Sequence, residues 1–225
     1  MTRELQSSAP SVVQNSSPNK VALKVDWCSF QAARWAVEHW HYSQTMPAGK
    51  LVRIGVWEND SFVGAVIYGR GALYNIGRPF NLDQTQICEL VRVALTNHCT
   101  PTSRIVAISI KILKKNNPGL RMIVSYADSG KGHHGGIYQA SGWVYVGESF
   151  DTYIQVKGEV KHRRSLGSTY GTNSIKWIHA NVDPNASIVR QPAKYKYLMP
   201  LDAEMKGKIE HLRKPYPKRT PEVAA

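Results

Sequence analysis

The sequence predicts an α/β protein with a central mixed sheet that is flanked by helices. Short alternating apolar runs, typical of half-buried strands, are separated by two longer segments whose apolar residues fall at helical spacing. The predicted order is β-α-β-β-β-α-β-α-β-β, followed by short elements. Of the 225 residues, 42 % are hydrophobic, which is enough for a core. No apolar run approaches the roughly 18 residues that a membrane span needs, so we expect no membrane partner.

The first half of the chain begins with a polar segment and then alternates between strand and helix patterns. Residues 1–19 hold five serines and no aromatic residue, and they are predicted to be a disordered tail. Asp26 is the predicted N-cap of the first helix. The predicted elements are a strand at 20–25, a helix from there to about residue 42, a hairpin of strands at 51–57 and 62–68, a loop at 70–82 and a strand at 87–95. Within the last strand, we interpret Glu89 and Arg92 as a structural pair.

The second half of the chain starts with an amphipathic helix and ends in short elements. Ile105, Ile108 and Ile112 define this helix, which Ser103 is predicted to cap and an Asn-Pro-Gly sequence to end. The predicted elements are a loop at 96–102, helices at 104–116, 136–141 and 174–180, and strands at 121–126, 143–147, 152–156 and 194–201. The strands at 143–147 and 152–156 are expected to pair with each other.

The net charge of +13 is concentrated toward the C-terminal end of the chain. Residues 157–219 contain 14 Lys and Arg against 5 Asp and Glu. Such a charge favours a polyanion, most often nucleic acid, because each neutralised phosphate releases a condensed counterion. The alternative is a basic surface that serves solubility alone. An anionic membrane fits less well, since the basic residues alternate with Gly, Pro and Asn instead of lining an amphipathic helix.

These features divide the chain into four predicted regions. They are a disordered tail at 1–19, a core at 20–158, a basic extension at 159–205 that contacts the polyanion, and a flexible basic tail at 206–225. Cys28, Cys88 and Cys99 have no CxxC spacing, so we expect reduced thiols. The first residues lack the apolar segment of a secretory signal, and we expect a cytoplasmic protein.

The segment 125–143 has the most unusual composition in the chain, with five glycines among its last fourteen residues. A simple turn needs one or two glycines, so we expect the backbone here to approach a ligand closely. Residues 130–135 match the pattern G-x-G-x-x-G. The helix predicted after them is too short for a dinucleotide-binding fold, and the Lys-Ser/Thr pair of a Walker A loop is absent.

Side chains in and around this loop suggest two kinds of ligand. Backbone N–H groups at Gly130, Gly132 and His133, beside a lysine, can hold an anionic part of a cofactor. Asp128, which follows directly after a strand, could join His133 and a distant His41 in a site for zinc or iron. The histidine adjacent to His133 would point elsewhere. For His41, the alternative is simple packing at the end of its helix.

Basic side chains interleaved with hydroxyl and aromatic groups are the predicted phosphate contacts. This pattern suits both phosphate contact and base stacking. The alternative is an exposed strand face and an ordinary basic loop. The predicted contact residues are Lys161, Arg163, Arg164, Lys176, Lys194 and Lys196.

Four short motifs carry a resemblance to a known family. They are His41-Tyr42, Glu89-Leu90-Val91-Arg92, Ser125-Tyr126-Ala127-Asp128 and the segment from Gly132-His133 to Tyr138-Gln139-Ala140. Together they resemble the Mom DNA-modification family of Mu-like bacteriophages, over roughly residues 25–200. The resemblance implies a fold similar to that of GCN5-related N-acetyltransferases, with the catalytic part at 20–158 and a basic DNA-contacting extension behind it.

The resemblance also implies an activity and an active site. Members of the family convert adenine in double-stranded DNA to N6-carbamoylmethyladenine, which shields phage DNA from restriction. The matching site residues are His41, Tyr42, Asp128 and Tyr138, with Ser125, Tyr126 and His133 as further matches. Either His41 or Asp128 would be the general base for the adenine amine, and the tyrosines would stack on the base or donate to developing charge.

Two departures from the expected pattern bear on the cofactor. Segment 97–103, where acetyltransferases carry a glycine-containing pyrophosphate loop, has no glycine, so acetyl-CoA is not expected to bind in the usual way. Ser129 stands where the family often has proline. Two alternatives to the DNA-modifying enzyme stay open: an acyl-CoA-dependent N-acyltransferase on a protein or small-molecule amine, and a non-catalytic DNA-binding protein. The concentration of Asp, His and Tyr around one glycine loop favours an enzyme.

Overall fold

A computed structural model of the protein describes residues 21–70, 75–150 and 152–219. The predicted disordered tail lies outside these ranges, as do positions 20, 71–74 and 220–225 of other predicted segments. The helices and strands are β1 Leu23–Trp27, α1 Phe30–Trp40, β2 Leu51–Glu58, β3 Ser61–Gly69, β4 Ile87–Leu95, α2 Thr102–Asn116, β5 Met122–Asp128, α3 Gly136–Gln139, β6 Val144–Ser149, β7 Thr152–Val156, β8 Glu159–His162, α4 Arg163–Tyr170, α5 Ile175–Asn181, β9 Ser187–Arg190, β10 Lys194–Pro200 and α6 Ala203–Glu210.

Seven strands form one mixed sheet in the order β1-β2-β3-β4-β5-β10-β6. Neighbouring strands are antiparallel except β4 and β5, which are parallel. The predicted α/β class with a central mixed sheet is confirmed. The predicted hairpin at 51–68 is confirmed as β2 and β3, and the late strand at 194–201 as β10.

Helices cover both faces of this sheet. In β3, Val66 and Tyr68 belong to the cluster that contains the buried face of α2, whereas Ala65 and Ile67 pack against α1. Since successive residues of a strand point to opposite faces, α1 and α2 lie on opposite sides of the sheet. Among the described residues, no helix is long and apolar enough to cross a membrane.

Both predicted helix caps are wrong by a few residues. Asp26 pairs with Gly55 in the β1–β2 ladder, and the cap of α1 is Ser29, whose hydroxyl accepts a hydrogen bond from the Ala32 N–H at 3.1 Å. The strand therefore extends further than its alternating pattern suggested. Helix α2 begins at Thr102, so Ser103 lies inside its first turn instead of capping it.

The predicted pairing of 143–147 with 152–156 is also wrong. Strand β6 pairs with β10, while β7 pairs with β8 and β9 in a second sheet of order β8-β7-β9. Aromatic packing supports the long-range choice, because the Tyr145 ring of β6 lies 5.3 Å from the Tyr197 ring and 5.9 Å from the Tyr195 ring of β10. If β6 paired with β7 in a local hairpin, the Tyr145 ring would not contact the rings of β10.

The second sheet and two helices form a small unit with its own apolar cluster, which includes Ile154, Leu166 and Ile178. Helices α4 and α5 are separated by the four residues 171–174. The predicted helix at 174–180 is confirmed as α5. The predicted extension at 159–205 thus contributes both to this unit and, through β10, to the main sheet, and its bounds stay a prediction.

Candidate active site

A cleft with a volume of about 630 Å³ opens where the two parallel strands of the main sheet separate. The parallel register of β4 and β5 ends at Leu90 and Ser125. Both strands continue beyond this point, β4 to Leu95 and β5 to Asp128. The splayed strand ends form two walls, and the loops that follow α1 and β5 supply the others.

Most of the predicted site residues meet in this cleft. Its lining includes His41, Tyr42, Tyr126, Asp128, Gly132, His133 and Tyr138. Ser125 lies beneath the cleft, fully buried, with its hydroxyl 2.7 Å from that of Tyr138. Gly130 does not line the cleft, since the space beside its Cα faces the ring of Pro192.

His41 is half-buried at the point where the chain leaves α1. Burial lowers its pKa to about 4, assisted by the positive charges of Arg92 and His133, so the ring is neutral at physiological pH. The Ser43 backbone N–H donates to Nδ1 at 3.1 Å. Because a backbone N–H can only donate, Nδ1 is unprotonated and the single ring proton lies on Nε2. His41 is therefore held as a hydrogen-bond donor at Nε2.

Tyr42 forms the centre of a row of three rings at the mouth of the cleft. Its ring centroid lies 4.3 Å from that of His41 and 5.2 Å from that of His133. The side chain is 51 % exposed. Burial of its hydroxyl and the nearby Asp128 carboxylate raise the pKa of Tyr42, so the phenol stays protonated. The row presents an aromatic face to whatever enters the cleft.

Tyr138 forms the floor of the cleft and is buried. Its ring packs 4.9 Å from that of Trp143 and 5.0 Å from that of Tyr197. Burial raises the pKa of Tyr138 to about 12, although its hydrogen bond with Ser125 acts in the opposite direction. The hydroxyl is therefore protonated, and Ser125 holds it in place.

Asp128 ends β5 and begins the glycine-rich loop. Its carboxylate accepts a hydrogen bond from the Gly130 N–H at 3.0 Å, and its carbonyl accepts one from the His133 N–H at 3.0 Å. Gly132 and Gly135 both have positive φ, at 72° and 81°. These conformations favour glycine, so the loop's unusual composition follows from the tight path back to α3.

Arg92 is a cleft residue that our sequence interpretation assigned to structure alone. Its guanidinium donates to the Val91 carbonyl at 2.8 Å and to the Thr45 carbonyl at 3.4 Å. Desolvation lowers the pKa of Arg92, and its Nε is buried without an acceptor within the described part of the chain. Arg92 nevertheless lines the cleft, so the side chain as a whole borders the space that a ligand would occupy. The signal in the sequence was a cation among apolar residues of a strand, which we had assigned to pairing with Glu89.

The predicted metal site does not form. Within the described ranges, no three His, Cys, Asp or Glu side chains come together in a way that could hold an ion. His133 contacts the Tyr42 ring, while the ring of His134 lies beside Gly136. Closeness in the sequence therefore does not give these side chains a shared direction.

The loop before α2 already holds an anion of the protein's own. Glu58, at the end of β2, is buried, and its carboxylate accepts hydrogen bonds from the N–H groups of Cys99 and Thr100, each at 2.7 Å. Pro101, the next residue, has no N–H. Two amides of this loop, those of Cys99 and Thr100, are thus in use, which leaves fewer N–H groups for a pyrophosphate. That acetyl-CoA does not bind here in the usual way stays a prediction.

Replacing Glu58 by Gln should lower the free energy of unfolding at pH 7 by about 1–3 kcal/mol, because the N–H groups of Cys99 and the buried Thr100 lose a charged acceptor. Burial alone would raise the pKa of Glu58, but the hydrogen bonds from Cys99 and Thr100 outweigh it and hold the pKa below its ordinary value. This stabilisation is present above the unfolded-state pKa of about 4.3 and is lost as the pH falls through the folded-state value. The difference between Glu58→Gln and wild type should therefore shrink below about pH 4.

Urea unfolding at pH 7, 5 and 3.5 measures this dependence. Asp60→Asn is the matched control, since Asp60 is an exposed acid in the adjoining turn. It should change the stability by less than about 0.5 kcal/mol at each pH. A constant difference for Glu58→Gln across the three pH values would contradict the role of the carboxylate charge.

The predicted phosphate contacts occupy four different environments. Arg163 and Lys176 are exposed on α4 and α5, and Lys161 forms an ion pair with Glu159 at 2.8 Å. Lys194 pairs in register with Asp128 at the edge of the cleft. Lys196 is half-buried over the Phe80 ring, and desolvation lowers its pKa, which makes it the poorest phosphate ligand of the set. The Arg164 side chain lies outside the described part of the structure.

Comparison with known proteins gave matches over most of the chain. The model of a family described as the Mom protein family matches residues 22–218. A curated relative from Escherichia phage Mu, the methylcarbamoylase mom, is 24 % identical over 203 residues, which are 87 % of this chain and 84 % of the relative.

Two solved structures are also similar in overall path. A putative acetyltransferase from Acinetobacter baylyi has a TM-score of 0.47 at 12 % identity, covering 83 % of this chain and 96 % of its own. A probable acetyltransferase of the GNAT family from Chromobacterium violaceum has a TM-score of 0.41 at 12 % identity, covering 88 % and 97 %.

Proposed function

The chain belongs to the Mom protein family, and from this premise we propose that it is a phage DNA-modifying transferase that converts adenine in DNA to N6-carbamoylmethyladenine. The name of the phage Mu relative, a methylcarbamoylase, supports the transfer of such a group. The observation that carries the proposal is the cleft itself, in which a carboxylate, a neutral histidine and two protonated tyrosines surround one space.

The cleft suits a base that has left the duplex. An enzyme that modifies a base atom must take the base out of the stack, at a cost of a few kcal/mol. The half-exposed Tyr42 ring, flanked by His41 and His133, offers an aromatic face on which the extruded adenine can stack. Such stacking repays part of the cost of unstacking.

Asp128 is the better candidate for the general base. The proton on Nε2 of His41 leaves that histidine no free lone pair, because Nδ1 already accepts the Ser43 N–H. The Asp128 carboxylate has lone pairs beyond the one used by Gly130. As the bond between N6 and the carbon of the carbamoylmethyl group forms, one amine proton passes to Asp128. The donor's leaving group departs with the electrons of its bond to that carbon.

The other cleft residues would then act as donors. His41 can donate from Nε2, and Tyr138 can donate from its hydroxyl to negative charge that develops on the donor. Arg92 lines the cleft, and each of its terminal nitrogens has an N–H beyond the one donated to the Val91 or Thr45 carbonyl, which can hold an anionic or carbonyl oxygen. None of these roles requires a change in protonation near neutral pH, in agreement with the pKa of about 4 for His41 and about 12 for Tyr138.

We place the main duplex contact on the small unit of β7, β8, β9, α4 and α5. Residues 152–193 hold six Lys and Arg against two Asp and Glu. Arg163 and Lys176 are exposed on its two helices, and Trp177 next to Lys176 is 42 % exposed. Cations beside an exposed aromatic ring are typical of surfaces that contact phosphates and bases.

The double variant Arg163→Ala/Lys176→Ala should weaken binding to a duplex oligonucleotide and reduce the slope of log K against log salt by about 1.8, since each lost phosphate contact removes about 0.9. The matched control is Lys111→Ala/Lys115→Ala, which removes the same charge from exposed positions of α2. Fluorescence anisotropy at four salt concentrations measures both slopes. Equal slopes for the two double variants would locate the duplex contact elsewhere.

Nucleoside mass spectrometry tests the function itself. DNA from cells that express the wild-type chain should contain an adenine nucleoside heavier by a carbamoylmethyl group, and DNA from cells with the empty vector should not. Unmodified DNA together with turnover of an acyl-CoA would favour the acyltransferase alternative. Unmodified DNA that the protein nevertheless retains would indicate a non-catalytic DNA-binding protein.

We expect the reaction to take place in the host cytoplasm, where its substrate lies.

A further inference from the structure

The C-terminal part of the described chain returns to the cleft. After α6, residues 211–219, which we call the C-terminal strap, run across β6 and α3. The Lys214 N–H donates to the Tyr145 carbonyl at 2.9 Å, and the Tyr216 hydroxyl donates to the Trp143 carbonyl at 2.6 Å. The tail predicted from residue 206 onward thus contains the end of α6 and the strap, and its flexibility stays a prediction.

Gln139 ties the strap to the same structure that positions the cleft floor. Its side-chain amide lies 3.1 Å from the Pro217 carbonyl, 3.0 Å from the His134 carbonyl and 3.1 Å from the Tyr197 hydroxyl. One side chain thus contacts the glycine-rich loop, the central strand β10 and the strap. Since Tyr138 is the neighbour of Gln139 in α3, the strap and the cleft floor share one support.

Arg219, at the end of the strap, lines the cleft. The charged side chains of the lining are Arg92, Arg219 and Asp128, alongside several histidines, so the cleft carries more positive than negative charge. Arg219 is also exposed, which allows its guanidinium to meet a ligand that is still partly in solvent. A planar guanidinium at the mouth of a cationic cleft is well suited to bind a phosphate through two parallel hydrogen bonds.

We propose that the C-terminal strap is part of the substrate site and carries Arg219 into the cleft to bind a phosphate group. The phosphate belongs either to the DNA strand beside the extruded adenine or to a phosphate-bearing donor of the transferred group. The proposal deepens the proposed function and rests on it only in taking DNA as the substrate. The small unit and the strap would then hold the nucleic acid from two separate parts of the chain.

The test compares Arg219→Ala with Lys218→Ala in the full-length chain. Both variants remove one positive charge from neighbouring exposed positions, but Lys218 is not among the residues that line the cleft. Binding of a duplex oligonucleotide is followed by anisotropy across a salt series, and binding of inorganic pyrophosphate is followed by titration calorimetry. A third variant, Tyr216→Phe, keeps every charge and removes the hydrogen bond that anchors the strap to Trp143.

If the phosphate belongs to DNA, Arg219→Ala should bind the duplex about 5- to 10-fold more weakly and lower the salt slope by about one, and Lys218→Ala should do neither. If it belongs to a donor, duplex binding should be unchanged and pyrophosphate affinity should fall by a similar factor in Arg219→Ala alone. Tyr216→Phe should weaken binding of the same ligand by a smaller factor, about 2- to 3-fold. A strap that is no longer anchored loses conformational entropy when it becomes ordered on binding.

Three results would overturn the proposal. The first is an Arg219→Ala protein that binds both probes as wild type does. The second is a Lys218→Ala protein that loses as much affinity, which would indicate a general charge effect. The third is a Tyr216→Phe protein indistinguishable from wild type, which would remove the anchoring role of the strap. These binding measurements do not depend on turnover. A wild-type protein that leaves adenine unmodified would therefore contradict the proposed function but would not decide whether Arg219 binds a phosphate.

Discussion

Asp128→Asn is expected to abolish adenine modification and to leave duplex affinity within about twofold of the wild-type value. The amide has the size of the carboxylate, and its oxygen can still accept the Gly130 N–H that orders the loop. It cannot take up a proton from the adenine amine. Loss of a positioned general base typically costs 10²–10⁴ in rate, so we expect modified adenine to fall by about that factor.

Nucleoside mass spectrometry of a defined duplex after timed incubation measures this loss. Asp26→Asn is the matched control, because the Asp26 carboxylate also accepts a backbone N–H, from Trp27 at 2.8 Å, but lies in the edge strand β1, outside both the cleft and the small unit. The control should modify DNA at the wild-type rate. Modification by Asp128→Asn at more than a tenth of that rate would remove Asp128 from the role of base and return attention to His41.

Gly135→Ala is expected to lower the free energy of unfolding by about 2–5 kcal/mol and to eliminate activity. Gly135 has a φ of 81°, a conformation that costs alanine about 1–2 kcal/mol. A Cβ there would also lie 2.4 Å from the Tyr197 ring, which is fully buried and cannot move aside. Overpacking of this kind costs about 1–3 kcal/mol.

Gly132→Ala separates the two contributions. Gly132 has a similar φ of 72°, but a Cβ at this position would meet no atom within 4 Å. Its loss of stability should therefore be limited to the backbone strain, about 1–2 kcal/mol. Chemical denaturation of both variants beside wild type gives the comparison. Equal losses for Gly132→Ala and Gly135→Ala would mean that contact with Tyr197 does not restrict the loop.

The sequence was a good guide to the strands of the main sheet and a poor guide to their partners, and it missed the short elements β8, α4, β9 and α6. Alternation of apolar residues identifies β6, β7 and β10 as strands, but it carries no information on which strand each will join. The partner of β6 is decided by Tyr145 meeting Tyr195 and Tyr197, about fifty residues later in the chain. Local spacing favoured the nearest strand, and tertiary packing favoured another.

For the candidate site too, the sequence indicated local features but not the contacts that form only in the folded chain. Asp128 was within reach of sequence reasoning because it directly follows a strand at the start of a glycine-rich loop, whereas Tyr138 was named only through the resemblance to the Mom family. The role of Glu58 was not, since its carboxylate meets the N–H groups of Cys99 and Thr100 only after the chain has folded. The metal hypothesis failed for a related reason, since residue types alone do not give the directions of side chains.

The central position of β10 has a consequence for how the protein is made. β5 and β6 are both in place by residue 149, yet the strand that joins them begins at Lys194. At a synthesis rate of roughly 5–20 residues per second, both strands wait several seconds with unpaired edges as the chain leaves the ribosome. Unpaired edges invite intermolecular pairing, so a nascent chain at this stage is the form most exposed to aggregation. A chain of such non-local topology should fold slowly and benefit from chaperones.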